Sequence, residues 1–297
     1  MALTPYNIKK WTRMLLGKSD LHVHQGVGQC MSPDSLRGYY NDLTLKITQF
    51  HLPHNTIPRH PIGPDGTLTY FPIGIFQHGL ASYDLYLLTH DEAYLNDTLL
   101  CAQWAIDNQL PNGAWNTFGT LYPQAPFSAM AQGQAISLLA RAYAATQDTT
   151  FLTPIPQAYA FLRTNTTQAD GILLEYTHKP PVLNGWIFAL WGIWDMQYLP
   201  IDKADSRQFL DTTIATLVAT LPRFDIGFWT NYNLDGTIQA STHYQRIHIA
   251  QMQAMHALTR NEIFRDYALR WQRQLDSPLN RLRAFLRKAV QKLREKA

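Results

Sequence analysis

The sequence predicts a mainly α-helical fold in which about four helical hairpins form an α/α toroid. From residue 76 onward, apolar residues recur with helical spacing. The helical segments come in pairs that repeat about every 55 residues, as between Gln77 and Gln132. In each pair the first helix is apolar on most sides and the second is amphipathic, which is typical of inner and outer helices of a ring.

The elements follow in order. Residues 20–75 are rich in His, Pro and Gly, which predicts an irregular, partly β segment with a tight turn at Pro64-Asp65-Gly66-Thr67. A small β-hairpin is predicted near residues 226–242, around Asp235-Gly236. Polar junctions such as Thr89-His90-Asp91 end one helix and cap the next. The four predicted hairpins are Phe76–Thr89 with Glu92–Gln109, Met130–Thr146 with Thr150–Thr164, Val182–Tyr198 with Ser206–Leu221, and Arg246–Leu258 with Glu262–Leu275.

These boundaries divide the chain into three parts. Residues 1–67 form an N-terminal irregular or β segment that lines a cleft, residues 68–276 form the α/α barrel, and residues 277–297 form a basic amphipathic helix.

Composition excludes several classes of protein. Apolar residues make up 46% and charged residues 16%, so we expect the chain to fold around a core. The sequence has no run of 18 apolar residues that could span a membrane. Two cysteines, Cys30 and Cys101, are too few for a disulfide framework and favour a reducing compartment. Met1–Asp20 lacks the apolar core of a signal peptide, and we expect a cytoplasmic location.

Charge is unevenly distributed along the chain. The formal net charge is +3, yet residues 281–296 alone carry seven basic residues and one acidic residue. The remainder is slightly negative, so we expect no nucleic-acid partner, and any anion site in the main body must be local. The basic tail has apolar residues at helical spacing, which leaves two interpretations open: peripheral contact with the inner membrane face, or docking on its own domain.

Carboxamides mark one end of the predicted ring. Each inner helix carries one: Gln77, Gln132, Asn184 and Gln251. If the inner helices are parallel, these amides share one mouth with the free N–H groups and the positive ends of the helix dipoles, which favours an anionic ligand. The alternative, equally weighted for any single amide, is that it only caps or cross-links helices.

Three tyrosines lie beside polar groups near this mouth. Tyr176 follows Glu175, Tyr232 lies in a strand-like run, and Tyr244 shares a helical stripe with His248. A phenol with a pKa of about 10 is a poor base but a good acid. Two phenols on opposite faces of a carbon could remove and return one proton, although packing is the usual role of a tyrosine. Asn184, Arg246 and His248 are candidates to stabilise the developing negative charge.

Other chemistries lack their motifs. His22, His24, His51, His54 and His60 have no spacing typical of zinc, so we predict neither a metal nor another cofactor. The phosphate loops GxxxxGK[ST] and GxGxxG and the hydrolase elbow GxSxG are absent from the sequence.

Five segments in one order, spread over residues 68–275, resemble the C-terminal domain of the D-glucuronyl C5-epimerase family of heparan sulfate and heparin synthesis. They are Tyr70-Phe71-Pro72-Ile73, Phe127 through Ser137, Glu175-Tyr176, Val182-Leu183-Asn184-Gly185, and Tyr244 through Gln251. The resemblance implies an α/α barrel. It also implies an isomerase that converts D-glucuronate to L-iduronate at C5 inside an anionic, heparosan-like uronate polysaccharide, without a cofactor.

The resemblance also implies roles for individual residues. Tyr176, Tyr232 and Tyr244 with Glu175 correspond to the residues that transfer protons. The implied substrate-binding residues are Asn184, Arg246, His248, Gln77, Gln132 and Lys179. The basic residue that follows the hairpin tyrosine in animal members is missing, which leaves Arg246 or Lys179 as the carboxylate anchor. The larger N-terminal β-domains are missing as well, which points to another uronate polymer, such as a bacterial capsule or exopolysaccharide.

Two alternatives stay open. A polysaccharide lyase removes the same C5 proton and then expels the C4 oxygen, and α/α toroids host such enzymes. A non-catalytic glycan-binding protein would bind the polymer without proton exchange. The oligomeric state is also left open.

Overall fold

Four α-helical hairpins dominate the part of the chain that the computed structural model describes, which is residues 23–62 and 66–294, without the side chains of 292–294. The helices are α1 (Leu45–Thr48), α2 (Pro72–Thr89), α3 (Glu92–Asp107), α4 (Ala129–Thr146), α5 (Ile155–Asn165), α6 (Leu183–Asp195), α7 (Ala204–Phe224), α8 (Thr242–Thr259), α9 (Glu262–Asp276) and α10 (Pro278–Arg294). The strands are β1 (Arg59–Pro61) and β2 (Leu68–Tyr70), which pair antiparallel. The predicted mainly α-helical fold of about four hairpins is confirmed.

Several helix ends differ from the prediction: α8 begins at Thr242 rather than Arg246, after the Ser241 cap, and proline sets two other ends. The first inner helix starts at Pro72 rather than at residue 76, because proline is well suited to the first helical position. The predicted helix Thr150–Thr164 is divided into a 3₁₀ turn, Thr149–Leu152, and α5. Pro154 and Pro156 cannot continue a helix that started earlier, but they fit the first turn of a new one.

Three hairpins share one type of junction, as predicted. The first helix ends on a residue in the left-handed region, and the next residue caps the element that follows, which is the second helix in two hairpins and the 3₁₀ turn Thr149–Leu152 in the other. The left-handed residues are His90, Gln147 and Arg260, with φ angles of 59°, 60° and 58°. The capping side chains are those of Asp91, Asp148 and Asn261, which accept backbone N–H groups at 2.9, 2.9 and 3.0 Å.

The first three inner helices, α2, α4 and α6, run parallel. Asp84 of α2, Arg141 of α4 and Asp195 of α6 lie in the C-terminal halves of their helices, and all three contact segment 38–40. Asp84 accepts a backbone N–H at 2.9 Å, Arg141 donates to a backbone carbonyl at 2.8 Å, and Asp195 accepts a tyrosine hydroxyl at 2.5 Å. The N-terminal ends of these helices therefore lie together at the opposite end of the ring, which we call the mouth.

Close helix approach fixes the ring. A Cβ at Gly133 of α4 would lie 2.4 Å from the Ala189 Cα of α6, and one at Gly192 would lie 2.3 Å from the Gly133 carbonyl oxygen. Arg141 and Asp195 pair at 2.7 Å between the same two helices, and both are fully buried. Backbone contact and an internal ion pair thus hold α4 and α6 in one arrangement.

The non-helical segments differ in part from the prediction. The strands β1 and β2 pair antiparallel on either side of the predicted turn, of which Pro64 and Asp65 lie outside the described residues, as do the predictions for residues 1–22. Near residues 226–242 there are isolated bridges, such as Asn231 with Gln239, in place of a regular hairpin. The Asn233 side chain competes for backbone groups there, since it accepts the Ile238 N–H at 2.9 Å.

Cys30 and Cys101 are both buried and unpaired. Among residues 23–62 and 66–294, no helix combines the length and the apolar character needed to cross a bilayer.

Candidate active site

Glu175 and Tyr176 lie at the mouth because the loop before α6 is fixed at the start of two inner helices. The Leu174 carbonyl accepts the Ala129 N–H at the start of α4 at 2.9 Å. Glu175 lies directly against Gly185 in the first turn of α6, where a Cβ would be 2.3 Å from the carboxylate oxygen Oε2. The glycine of the Leu-Asn-Gly motif is therefore required by the close approach of this carboxylate.

Glu175 is buried and titrates near neutrality. Its side chain is 6% exposed, and Oε2 has no hydrogen-bond partner among the described residues. Burial raises the pKa of Glu175 to about 7, against the opposing effects of a hydrogen bond from Tyr176 and of the positive charge of Lys179. A carboxyl group in this state can accept and release a proton at physiological pH.

Tyr232 and Tyr244 form a second pair. Ser241 caps α8 and accepts the Tyr244 N–H at 3.3 Å, which places Tyr244 in the first turn. The Tyr232 carbonyl accepts the Leu183 N–H at 3.2 Å, which fixes the loop beside the start of α6. The two rings are 4.6 Å apart, and hydrogen bonding with Tyr232 acts to lower the pKa of Tyr244.

The structure brings all four predicted catalytic residues together. Burial, followed by the negative charge of Glu175, raises the pKa of Tyr176, Tyr232 and Tyr244, the last to about 12. A phenolate at Tyr244 would raise the pKa of Tyr176 further, so the three tyrosines lie around the one carboxylate of Glu175. Each of the three rings remains partly exposed, and all three phenols are neutral at physiological pH.

Two further aromatic residues, which sequence reasoning missed, complete the site. Phe118 stacks on Tyr176 at 4.5 Å. Tyr122 accepts a hydrogen bond from the Lys179 ammonium at 2.6 Å, and that ammonium lies 4.1 Å from the Tyr122 ring and 4.6 Å from the Tyr176 ring. Both belong to the long loop 110–128, whose length was the only available signal. Lys179 thus provides a cation beside Tyr176.

His248 lies beneath the tyrosines as a neutral acceptor. It is fully buried, and burial lowers its pKa to about 3. Thr230 donates its hydroxyl hydrogen to Gln245 at 2.7 Å, so Nδ1 of His248 donates to Thr230 at 3.0 Å. Nε2 is then an acceptor and has no partner among the described residues.

The other predicted binding residues differ in position. Asn184 is at the mouth, and its buried Oδ1 lacks a partner among the described residues. Gln77 is also there and accepts a hydrogen bond from Lys46. Gln132 instead cross-links the structure, because its amide donates to two backbone carbonyls at 2.9 and 3.0 Å and accepts the Trp115 N–H at 3.3 Å. Arg246 is exposed, because its position two residues after Tyr244 turns it away from the tyrosines.

This arrangement places groups that can exchange protons around one point of the mouth. Tyr176 interacts with a carboxyl group whose pKa is raised, and Tyr244 interacts with a second phenol. A cation and an aromatic platform lie beside them. These are the groups needed to remove and return a proton next to a carboxylate and to bind a sugar ring.

Comparisons with known protein families match this chain over residues 103–273, more than half of its length, to a family described as D-glucuronyl C5-epimerase C-terminus. A D-glucuronyl C5-epimerase of Caenorhabditis elegans is 27% identical over 207 residues, which cover 57% of this chain and 33% of that protein. The chain therefore spans about a third of the length of this curated relative.

Solved structures share the ring of hairpins. An unsaturated glucuronyl hydrolase from Bacillus sp. GL1 aligns with a TM-score of 0.52 at 12% identity, over 68% of this chain and 61% of that one. A cellobiose 2-epimerase from Spirochaeta thermophila aligns with a TM-score of 0.51 at 12% identity, over 88% of this chain and 65% of that one. At these identities the likeness establishes the α/α-toroid fold alone.

Proposed function

Because the chain belongs to the D-glucuronyl C5-epimerase C-terminal family, we propose that it is an isomerase that inverts C5 of glucuronate residues inside a polysaccharide. The finer proposal is the conversion of D-glucuronate to L-iduronate in a heparosan-like uronate polymer. The observation that carries the proposal is the clustering of Glu175-Tyr176 with Tyr232 and Tyr244 at one mouth of the ring.

The contact between Tyr176 and the Glu175 carboxylate supports an assignment of the two sides. The hydrogen of Tyr176 points to Glu175, so a lone pair of the Tyr176 oxygen is available to take a proton. As the C5–H bond breaks, that proton passes to Tyr176 while the phenolic hydrogen of Tyr176 passes to Glu175. The electron pair of the broken bond moves into the substrate carboxylate and gives an enolate-like species, whose charge the Lys179 ammonium offsets.

The other pair completes the inversion. Tyr244 gives its proton to the opposite face of C5, and the hydrogen bond from Tyr232 stabilises the phenolate that remains. The proton on Glu175 returns to Tyr244 through solvent before the next turnover. Positioned proton transfer contributes roughly 10²–10⁴-fold for each group, so two such steps and the cation supply a substantial part of the acceleration.

Incubation with uronate polymers in heavy water tests the proposal. We expect deuterium at C5, both epimers in the product, and unchanged chain length. A shortened polymer that carries an unsaturated uronate would identify a lyase instead. Binding of polymer without any exchange would identify a glycan-binding protein.

A further inference from the structure

Lys46 carries a half-buried charge that no carboxylate in residues 23–62 and 66–291 neutralises. Its ammonium donates to Gln77 Oε1 at the mouth, and no carboxylate pairs with it among the described residues. Burial lowers the pKa of Lys46 to about 8. A cation removed from water without a counter-ion is costly, which makes this position favourable for an anion.

Further polar groups converge on the same place. His60 fills the space above Gly74 in the first turn of α2, where a Cβ would lie 2.1 Å from the imidazole Nε2. This Nε2 is buried without a hydrogen-bond partner among the described residues. Burial and then the charge of Lys46 lower the pKa of His60 to about 4, so the imidazole is neutral and close to the ammonium.

Aromatic contacts connect this place to the tyrosines. His60 lies 6.0 Å from Phe71, Phe71 lies 5.9 Å from Phe118, and Phe118 stacks on Tyr176 at 4.5 Å. Phe118 itself is buried, so these contacts fix the position of the Lys46 side of the mouth relative to Tyr176. Because only three ring contacts separate His60 from Tyr176, a polymer whose target residue lies on Tyr176 can place a neighbouring residue near Lys46.

We propose that Lys46, with Gln77 and His60, binds the carboxylate of a second acidic residue of the same polymer. This subsite rests on the proposed function, since it assumes a substrate that carries several carboxylates. It belongs to residues 23–77, outside the part of the chain that matches the family. It selects substrates with more than one uronate and sets the register in which the chain enters the tyrosine site.

Lys46→Met tests this subsite, because methionine keeps an unbranched apolar stem and removes the charge. We expect KM for C5 exchange on a multi-uronate oligosaccharide to rise by about tenfold or more, as for loss of a charge-assisted hydrogen bond. We expect kcat to change little and an oligosaccharide with a single uronate to react as with the wild type. Lys46→Arg should retain most of the affinity, and the exposed Arg207→Gln controls for a change in net charge.

Titration calorimetry with the same oligosaccharides keeps the two proposals separate. If the wild type shows no exchange but binds the multi-uronate probe through Lys46, the proposed function fails and the subsite stands. If Lys46→Met binds both probes as tightly as the wild type does, the subsite is wrong. Equal weakening for both probes would also overturn it, because it would make Lys46 part of the target site.

A second, independent observation concerns α10. Five large apolar residues are exposed on it: Leu279 (78%), Leu282 (55%), Phe285 (39%), Leu286 (55%) and Val290 (48%). Their spacing of three and four residues places them on one stripe. The opposite side faces the protein, where Ala284 is buried and its carbonyl accepts a hydrogen bond from Gln239 at 2.8 Å.

Basic residues flank this apolar stripe on both sides. Arg283 and Arg287 lie on one edge, with their guanidinium groups 4.0 and 6.0 Å from the Phe228 ring, and Arg281 lies on the other. Residues 281–296 have a net charge of +6. A second copy of the chain would bring the same positive charge against itself, whereas an anionic lipid surface complements both the stripe and its edges.

We infer that α10 docks on an anionic membrane surface, with the apolar stripe among the lipid chains and the arginines at the headgroups. In co-sedimentation, the protein should be found in the pellet with phosphatidylcholine vesicles that contain phosphatidylserine. With vesicles of neutral phosphatidylcholine alone it should stay in the supernatant. The double variant Leu282→Ser/Leu286→Ser should lose tenfold or more in binding, as expected from the apolar area removed. Leu269→Ser, an equally exposed leucine on α9, should bind like the wild type.

Three results would overturn this inference. The first is equal binding of the double variant and the wild type to anionic vesicles, and the second is no binding by either protein. The third is a dimer of the wild type in light scattering where the double variant is a monomer, because the stripe would then be an interface between two copies.

Discussion

Replacement of Glu175 by glutamine should remove a specific pH dependence from the stability of the protein. Burial raises the folded-state pKa of this carboxyl from 4.5 to about 7. A raised pKa means that the folded state holds the proton more tightly than the unfolded state does. The stabilisation is complete below the unfolded-state pKa and is lost as pH rises through the folded-state pKa.

The magnitude follows from the shift. A difference of about 2.5 units at 1.36 kcal/mol per unit gives about 3 kcal/mol between acidic and mildly alkaline pH. The side chain is only 6% exposed, so solvent screening reduces this value little. Glutamine also replaces the carboxyl group in its contact with Tyr176, at a cost of about 1 kcal/mol. We therefore expect the variant to be less stable than the wild type by about 1 kcal/mol below about pH 4, where the stabilisation is complete, and more stable by about 2 kcal/mol near pH 8.

Urea denaturation at a series of pH values measures this crossover as the difference between the two proteins. Burial also raises the pKa of Asp84 to about 7. Its effect on the pH dependence of stability is the same in both proteins and cancels in the difference. Glu92→Gln, at an exposed glutamate on α3, controls for loss of a carboxylate and should show no crossover. A difference between the proteins that is constant from about pH 5 to about pH 8 would refute the assignment of a raised pKa to Glu175.

Three further predictions concern single contacts. Tyr232→Phe removes the hydrogen bond with Tyr244 and should slow C5 exchange about 10- to 100-fold, while circular dichroism shows an intact fold. An unchanged rate would exclude this contact from the proton transfer. Gly185→Ala places a Cβ against the carboxylate of Glu175. It should lower the free energy of unfolding in urea by about 1–3 kcal/mol and abolish C5 exchange. Wild-type values of both would contradict the close approach. Arg141→Met leaves Asp195 buried without its partner and should destabilise the protein by about 3–5 kcal/mol. The double variant with Asp195→Leu should recover a large part of that loss. No recovery would show that the ion pair itself holds the ring together.

The sequence predicted the hairpins because their signals are local. Apolar periodicity and capping residues such as Asp91 and Asn261 depend only on near neighbours, so the predicted helices are present with shifted ends, except that prolines divide Thr150–Thr164. The stripe of Tyr244 and His248 followed from helical spacing in the same way. Spacing alone also indicates that Arg246, two residues after Tyr244, faces another side.

The parts that sequence could not supply depend on tertiary contacts. Phe118 and Tyr122 lie in a loop without periodicity, and they reach the site only because that loop is held against α4. Lys46 lies in a short helix whose position is set by packing against α2. The role of Gln132 as a cross-link, rather than as a ligand, depends on three backbone partners that are distant in sequence.

The central claim is that phenols on both sides of a uronate carbon carry its proton. The most direct measurement is deuterium incorporation at C5 of a uronate polymer by Tyr244→Phe. Tyr143→Phe is the matched control, because Tyr143 lies in the last turn of α4 at the opposite end of the ring. We predict that the control incorporates deuterium at the wild-type rate while Tyr244→Phe, folded to the same thermal stability, incorporates almost none. Wild-type incorporation by Tyr244→Phe would contradict the account.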